Sequence, residues 1–249
     1  MKYDAVLKNM GSAAFRRQDV LDALLTAYTD YNVGSFNRHF SKLLSNDRME
    51  NVGEDLYIAV SPSTVKKIYV HNGPSPKMSD VESFLSAEFP LAEYLVMETV
   101  QLNEFFDHQV AQNTIIVMTE KMLMDAFFER MKGKFSSVLF APNIDVLQRY
   151  GKNNSIIIER LNTRYPKNPE HGHRQSIEKL IVDLFAEKTI RAFLNTDDVP
   201  AFLETAFERY RINETRLFNY ARARRVDAEI RRIIRDETAI KLFTEGGNR

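Results

Sequence analysis

The sequence has no cysteine among its 249 residues. That excludes a disulfide framework, thiolate zinc sites and cysteine nucleophiles together, and it fits a reducing compartment. Long apolar runs are missing too. A membrane-spanning helix needs roughly 20 apolar residues, and a stretch such as residues 114–118 is far shorter. The opening Met1-Lys2-Tyr3-Asp4 carries no charged-then-apolar targeting pattern, so a cytoplasmic protein with no membrane partner is expected. No glycine-rich phosphate loop is present, because Gly133 and Gly151 stand alone. Nor is there an excess of either charge: Lys and Arg total 34, as do Asp and Glu. Any affinity for nucleic acid must then come from local patches.

What is present is a globular composition. Hydrophobic residues make up 44% of the chain, enough for a sizeable core. The length exceeds that of a typical single domain, so one large or two unequal domains are expected. Residues 16–28 read as a helix, with Val20, Leu21, Leu24, Leu25 and Tyr28 at helical spacing. A break at Asn32-Val33-Gly34 follows, then a second helix capped by Ser35 and running to about Leu44. Residues 49–52 and 56–60, joined by Gly53-Glu54-Asp55, read as a hairpin. Helix, turn, helix and hairpin in this order predict a winged helix-turn-helix over residues 1–62, with a boundary at Ser61-Pro62-Ser63. Residues 63–249 are expected to form a mixed α/β domain with C-terminal helices, an α+β chain overall.

Within that second part, strands are predicted at 66–71, 94–102, 114–118, 137–140 and 155–159. Helices are predicted at 78–88 with Ser79 as cap, at 120–132 ending at Gly133, and at 143–150 ending at Gly151. The rest reads as helices over 176–194, 200–210 and 214–243, with residues 245–249 frayed. There is no internal repeat and no low-complexity tract.

The second helix carries the strongest functional signal. Phe36, Phe40, Leu43 and Leu44 form its apolar stripe, and the opposite face offers Asn37, Arg38, Ser41 and Lys42. Asn37 can pair with adenine, Arg38 can reach guanine or phosphate, and Ser41 and Lys42 suit the DNA backbone. Arg48 stands where the wing begins. An amphipathic helix with a solvated face is the bland alternative. Charge counts against the DNA reading, since residues 1–60 hold seven basic and eight acidic side chains. Glu50, Glu54 and Asp55 occupy the wing, so either binding needs dimerisation or the module contacts protein.

A second signal is the arginine-rich C-terminal region, where Arg222, Arg225 and Arg232 could face nucleic acid or an acidic partner. A solvated helix balanced by Asp227 and Glu229 is the alternative. Enzyme patterns are weaker. Gly34-Ser35 lacks the acidic pair of a nucleotidyltransferase, and Glu98 with Glu120-Lys121 has the wrong spacing for a metal-dependent nuclease. Glu170-His171-Gly172-His173 reads as a solvated loop rather than a metal site. His39 and His71 are isolated. No catalytic group, metal or cofactor is expected.

Two stretches carry a resemblance. Phe36–Ala59, with Phe40-x-x-Leu-Leu, Arg48-Met49 and Leu56-Tyr57-Ile58-Ala59, resembles the winged-helix ending of AbiEi-type abortive-infection antitoxins. The run from Ser176 to Leu184 resembles the helix that opens the C-terminal domain of the same family. The resemblance implies a transcriptional autoregulator, the antitoxin of a type IV toxin–antitoxin phage-defence system. It implies promoter DNA and a nucleotidyltransferase-like toxin as partners, and no catalytic activity. Asp55 departs from the family, which often has glycine there. The reading is thus a DNA-binding regulator, with a possible homodimer. A protein-interaction module, or a metal-dependent nuclease, is the alternative.

Overall fold

The computed structural model describes residues 2–11, 13–60, 66–106, 110, 112–162, 164–193 and 196–245. The boundary expected at residues 61–63 and the terminal residues 246–249 lie outside them.

The chain begins with a helix for which the sequence reading made no allowance, α1 (Lys2–Met10). Its Val6 and Leu7 are buried, and Tyr3 and Met10 pack beside them. Next come α2 (Arg17–Ala27), a 3-10 turn at Val33–Ser35, α3 (Phe36–Ser45), and the strands β1 (Met49–Gly53) and β2 (Leu56–Ala59). Ser35 does not cap α3 through its side chain. Asn32 does the local capping instead, accepting from Gly34 N at 2.9 Å, while the Ser35 hydroxyl donates to the Asn32 carbonyl. Strands β1 and β2 pair antiparallel, and Phe15 adds one antiparallel bridge, exchanging 2.8 Å hydrogen bonds with Tyr57. Val20, Leu24, Phe36, Phe40 and Met49 close a small core of their own with α1.

The remainder is built on a four-stranded sheet. It comprises α4 (Pro76–Glu88), β3 (Tyr94–Glu98), β4 (Thr114–Thr119), α5 (Met124–Lys134), β5 (Val138–Phe140), α6 (Ile144–Tyr150) and β6 (Ser155–Arg160). Helices α7 (Ile177–Ala186), α8 (Lys188–Arg191), α9 (Val199–Arg209), α10 (Glu214–Arg224) and α11 (Asp227–Glu237) follow. The strand order is β3-β4-β6-β5, with β3 antiparallel to β4 and the others parallel. Central strands β4 and β6 are buried on both faces, which is why they read as continuous Ile/Val runs without alternation. One face (Tyr94, Val96, Ile115, Val117, Ile156, Ile158) packs on α4 and α5. The other (Leu95, Met97, Ile116, Met118) packs on α7 and α9 to α11. Leu180 and Ile181 of α7 are fully buried, and each such side chain contributes about 1.5–3 kcal/mol.

Several boundaries differ from expectation for physical reasons. Residues 66–71 form no strand. Only Lys67 pairs, with the backbone on either side of Tyr210. Strand β3 ends at Glu98, where the chain turns into a 3-10 segment, Thr99–Glu104. The cap of α4 is Ser75, whose hydroxyl accepts from Met78 N at 3.1 Å, with Pro76 preset in the first turn. Gly133 lies inside α5, not at its end, and residues 121–123 precede it as a 3-10 turn. The helix expected over 176–194 stops at Ala186, and that over 214–243 breaks between α10 and α11. There Arg225 is left-handed (φ 62°) and Val226 N reaches back to the Ala221 carbonyl at 3.0 Å.

Candidate functional site

Helix α3 buries Phe36 and Phe40 and leaves Asn37, Arg38, Ser41 and Lys42 exposed on one face. The helix contains two cationic residues and no carboxylate. At the start of α2, Arg17 donates to Asn37 Oδ1 at 2.5 Å, and its guanidinium lies 5.1 Å from the Phe40 ring centroid. Its exposed neighbour Arg16 has its backbone N–H capped by Asp19 at 2.6 Å. The first turn of α2 is thereby joined to the outer face of α3 at Asn37, next to the exposed Arg38. The two α2 arginines escaped the sequence reading, although their Arg-Arg pairing ahead of a helix was visible. The fifth expected residue, Arg48, pairs with Asp4 of α1 at 2.6 Å, and both line a cavity of about 690 Å³ together with Lys42 and His39 of α3.

The hairpin does not stand free. Its tip rests on the start of α10, where Glu54 N donates to Thr215 Oγ1 at 2.9 Å and Asn213 Nδ2 donates to Asn51 Oδ1. Arg211 pairs with Asp47 just before β1. A Cβ on Gly53 would meet Thr215 Oγ1 at 3.0 Å, so this close approach uses the glycine. Asp55 has φ 49°, the left-handed turn conformation that glycine favours and aspartate tolerates. Glu50 is buried, and burial raises its carboxyl pKa above the usual range against the lowering effect of Arg211 and Lys66.

The C-terminal arginines do not form a single basic surface. Arg224 pairs with Asp183 and Glu187, Arg231 with Asp227 and Glu245, Arg232 with Glu237, and Arg235 with Asp236. Of the three singled out in the sequence, Arg222 donates to Asn219, Arg225 occupies the exposed helix break, and Arg232 is on the next helix. Beneath them lies a buried ionic network in α7. Lys179 Nζ contacts Asp183 Oδ2 at 2.5 Å, and both side chains are at most 1% exposed. Asp183 also accepts from Tyr220 Oη (2.9 Å), Gln175 Nε2 (3.2 Å) and Arg224 Nη1 (3.3 Å). Glu159, at the end of β6, is pushed up to about 7, first by burial and then by Glu187 and Asp183, against the Thr189 hydroxyl bond.

The acidic pair weighed for a nuclease is separated by the fold. Glu98 lies opposite Ile115, whereas Glu120 follows Thr119, which lies opposite Tyr94. At about 3.4 Å per residue the two sit at opposite ends of the β3-β4 ladder, roughly 17 Å apart. Burial alone would raise Glu98, but hydrogen bonds from His71, Ser75 and Asn113 outweigh it and hold the carboxyl at about 2. His71 is thus a partner of Glu98 and not isolated. His173 is no free loop residue either. Its ring stacks on Tyr94 at 4.0 Å, and its carbonyl accepts from Val96 N at the sheet edge. Among the described residues no group of three or more His, Cys, Asp or Glu could hold a metal. Among them, too, no helix is long and apolar enough to cross a membrane.

Similarity to known proteins adds little to this geometry. No curated protein matches the chain. A solved structure that matches is the RV2827C protein from Mycobacterium tuberculosis, at 9% identity and a TM-score of 0.25, covering 91% of this chain and 76% of that one. Residues 35–240, from the start of α3 to just past α11, match the model of a family of unknown function (DUF6577), and the chain belongs to that family.

Proposed function

We propose that the chain is a DNA-binding transcriptional regulator that lays α3 against the major groove. The observation that carries this reading is the outer face of α3, where Asn37, Arg38, Ser41 and Lys42 are exposed with no carboxylate among them. The order of α1, Phe15, α2, α3 and the β1-β2 hairpin supports a winged helix-turn-helix, with Arg16 and Arg17 placed to meet the phosphate backbone. The antitoxin role, the nucleotidyltransferase-like toxin partner, the promoter as target and the cytoplasmic setting rest on the resemblance alone and are part of the proposal. So is a homodimer, which would match a two-fold operator.

The test is binding of the purified chain to its own upstream duplex across a salt series, beside a scrambled duplex. Arg38→Ala with Lys42→Ala is expected to weaken binding and reduce the salt slope by about 0.9 for each lost phosphate contact. Unchanged binding and slope in the double variant would remove α3 from the interface. The hairpin packed on α10 favours a second reading, a protein-interaction module whose wing does not enter a groove. Salt-insensitive capture of a protein partner, with no duplex shift at low salt, would favour that reading over the first.

A further inference from the structure

A separate cleft lies between the segment after β6 and the outer face of α10. It has a volume of about 500 Å³, within the range of small-ligand sites. Arg216, Asn219, Tyr220 and Ala223 line it from α10 at i, i+3, i+4 and i+7, one face of the helix. Arg164, Tyr165 and Lys167 line the facing wall. Three cationic residues therefore line one open space, and among the described residues its lining contains no carboxylate. A nearby acid, Glu93, pairs with Lys167 at 2.9 Å and accepts from the Tyr165 hydroxyl, which still leaves two cations in excess. Arg222 donates to Asn219 Oδ1, which brings a further guanidinium to the rim and leaves the Asn219 amide N–H groups as donors.

Like charges gathered without a counter-charge repel one another, and an anion relieves that cost. Guanidinium groups favour phosphate through paired N–H donors. Arg216 is held in place by its bond to the Lys167 carbonyl at 2.5 Å, so part of the site is preorganised. The half-buried ring of Tyr165 lines the same wall, with Lys167 Nζ 6.0 Å and Lys179 Nζ 5.6 Å from its centroid. A phosphate alone would leave most of the cleft empty, whereas a phosphate carrying a planar base would use both the cations and the ring. This pairing of basic groove and aromatic face is what nucleotide and single-strand sites share.

We infer that this cleft binds a nucleotide, free or as part of a single strand. The site is distinct from α3 and does not rest on the regulator reading. The test is calorimetric titration of the full chain at low salt with inorganic phosphate, with AMP and with a ten-residue oligothymidylate. AMP is expected to bind more tightly than phosphate. Arg164→Gln with Lys167→Gln is expected to weaken binding by roughly tenfold or more, as the charge-assisted bond from Arg164 is lost and Glu93 is left without its counter-charge beside the cleft. Lys134→Gln, an exposed cation on the opposite side of the sheet, should change nothing. Both substituted side chains are on the surface, and an unchanged melting profile of the variant excludes misfolding. Tighter, strongly salt-dependent binding of the oligonucleotide, lost in the same variant, identifies the strand as the source. Oligonucleotide binding no tighter than AMP identifies the free nucleotide. Binding of AMP no better than phosphate, no binding at all, or full binding by the double variant would overturn the inference.

Discussion

Replacing Asp183 by Asn tests whether the ionic network in α7 holds the α/β unit together. Asp183 is fully buried and meets four donors, from Lys179, Gln175, Tyr220 and Arg224. When its charge is removed, Arg224 keeps Glu187 at 2.8 Å. Lys179 keeps no carboxylate, because its side chain is 1% exposed and its remaining contacts are the Tyr220 hydroxyl at 3.4 Å and the Tyr165 and Tyr220 rings, 5.6 and 5.5 Å from its ammonium. Stranding one partner of a buried pair costs about 3–5 kcal/mol. At about 2–4 °C per kcal/mol for a chain of this size, Asp183→Asn should melt roughly 6–20 °C below the parent by calorimetry. A second variant separates charge from packing. Lys179→Met with Asp183→Leu removes both ions, and replacing a buried pair by apolar residues is often neutral. It should recover the part of the loss that comes from the stranded ammonium, while Gln175 and Tyr220 still lose their acceptor. An Asp183→Asn variant within about 1 kcal/mol of the parent would show that the pair is not the anchor. A double variant as unstable as the single one would instead place the cost outside the stranded charge, in packing or in the other donors to Asp183.

The titration behaviour of one buried carboxylate, Glu98, and one half-buried carboxylate, Glu159, follows from their surroundings. Glu159, raised to about 7 by burial, holds its proton in the folded chain over a range where the unfolded chain has lost it. Its contribution is therefore present at acid pH and lost as pH rises from about 4.5 to 7, on the order of 3 kcal/mol. Glu159→Gln should flatten that decline when melts at pH 5 and 8 are compared, and an unaltered decline would locate it elsewhere. Glu98 behaves in the opposite sense. Held at about 2, it stabilises the fold above the usual carboxylate range and loses that effect as pH falls through about 4.5 to 2. Glu98→Gln should be less stable than the parent at pH 7 and converge with it in acid, and a gap that persists at pH 2 would contradict this.

The elements that could be read from the chain are those specified locally. The α2 and α3 stripes and the hairpin were legible because each rests on spacing within a dozen residues and on a turn whose chemistry is visible. Even α1 carried a usable pattern, with Tyr3, Val6, Leu7 and Met10 one or two turns apart. Misplaced boundaries depended on distant partners. Residues 66–71 have strand-like composition, yet only Lys67 finds an edge, at Tyr210. Strand β3 stops where Glu98 turns inward to His71, Ser75 and Asn113, 15 to 27 residues away. Gly73-Pro74-Ser75-Pro76 interrupts both the helical and the strand period, which conceals Ser75 and Pro76 as the start of α4.

Charge shows the same limit at the candidate site. A census of residues cannot separate Arg224, spent on Asp183 and Glu187, from Arg164, which lines an open cleft. A balanced total is compatible with locally basic surfaces, because many opposite charges cancel within ion pairs. The acidic hairpin, which weighed against a DNA-binding module, is a case in point. Glu50 is buried, the Glu54 amide is anchored to Thr215, and Asp55 occupies the left-handed turn position. These acids mark a hairpin that docks on its own chain, so they say little about the charge presented by α3. The same docking carries a cost for the DNA reading, since a hairpin held on α10 is less available to enter a groove. Binding by this surface would then rest on α3 and the arginines ahead of α2, and its salt slope should reflect those few cations alone.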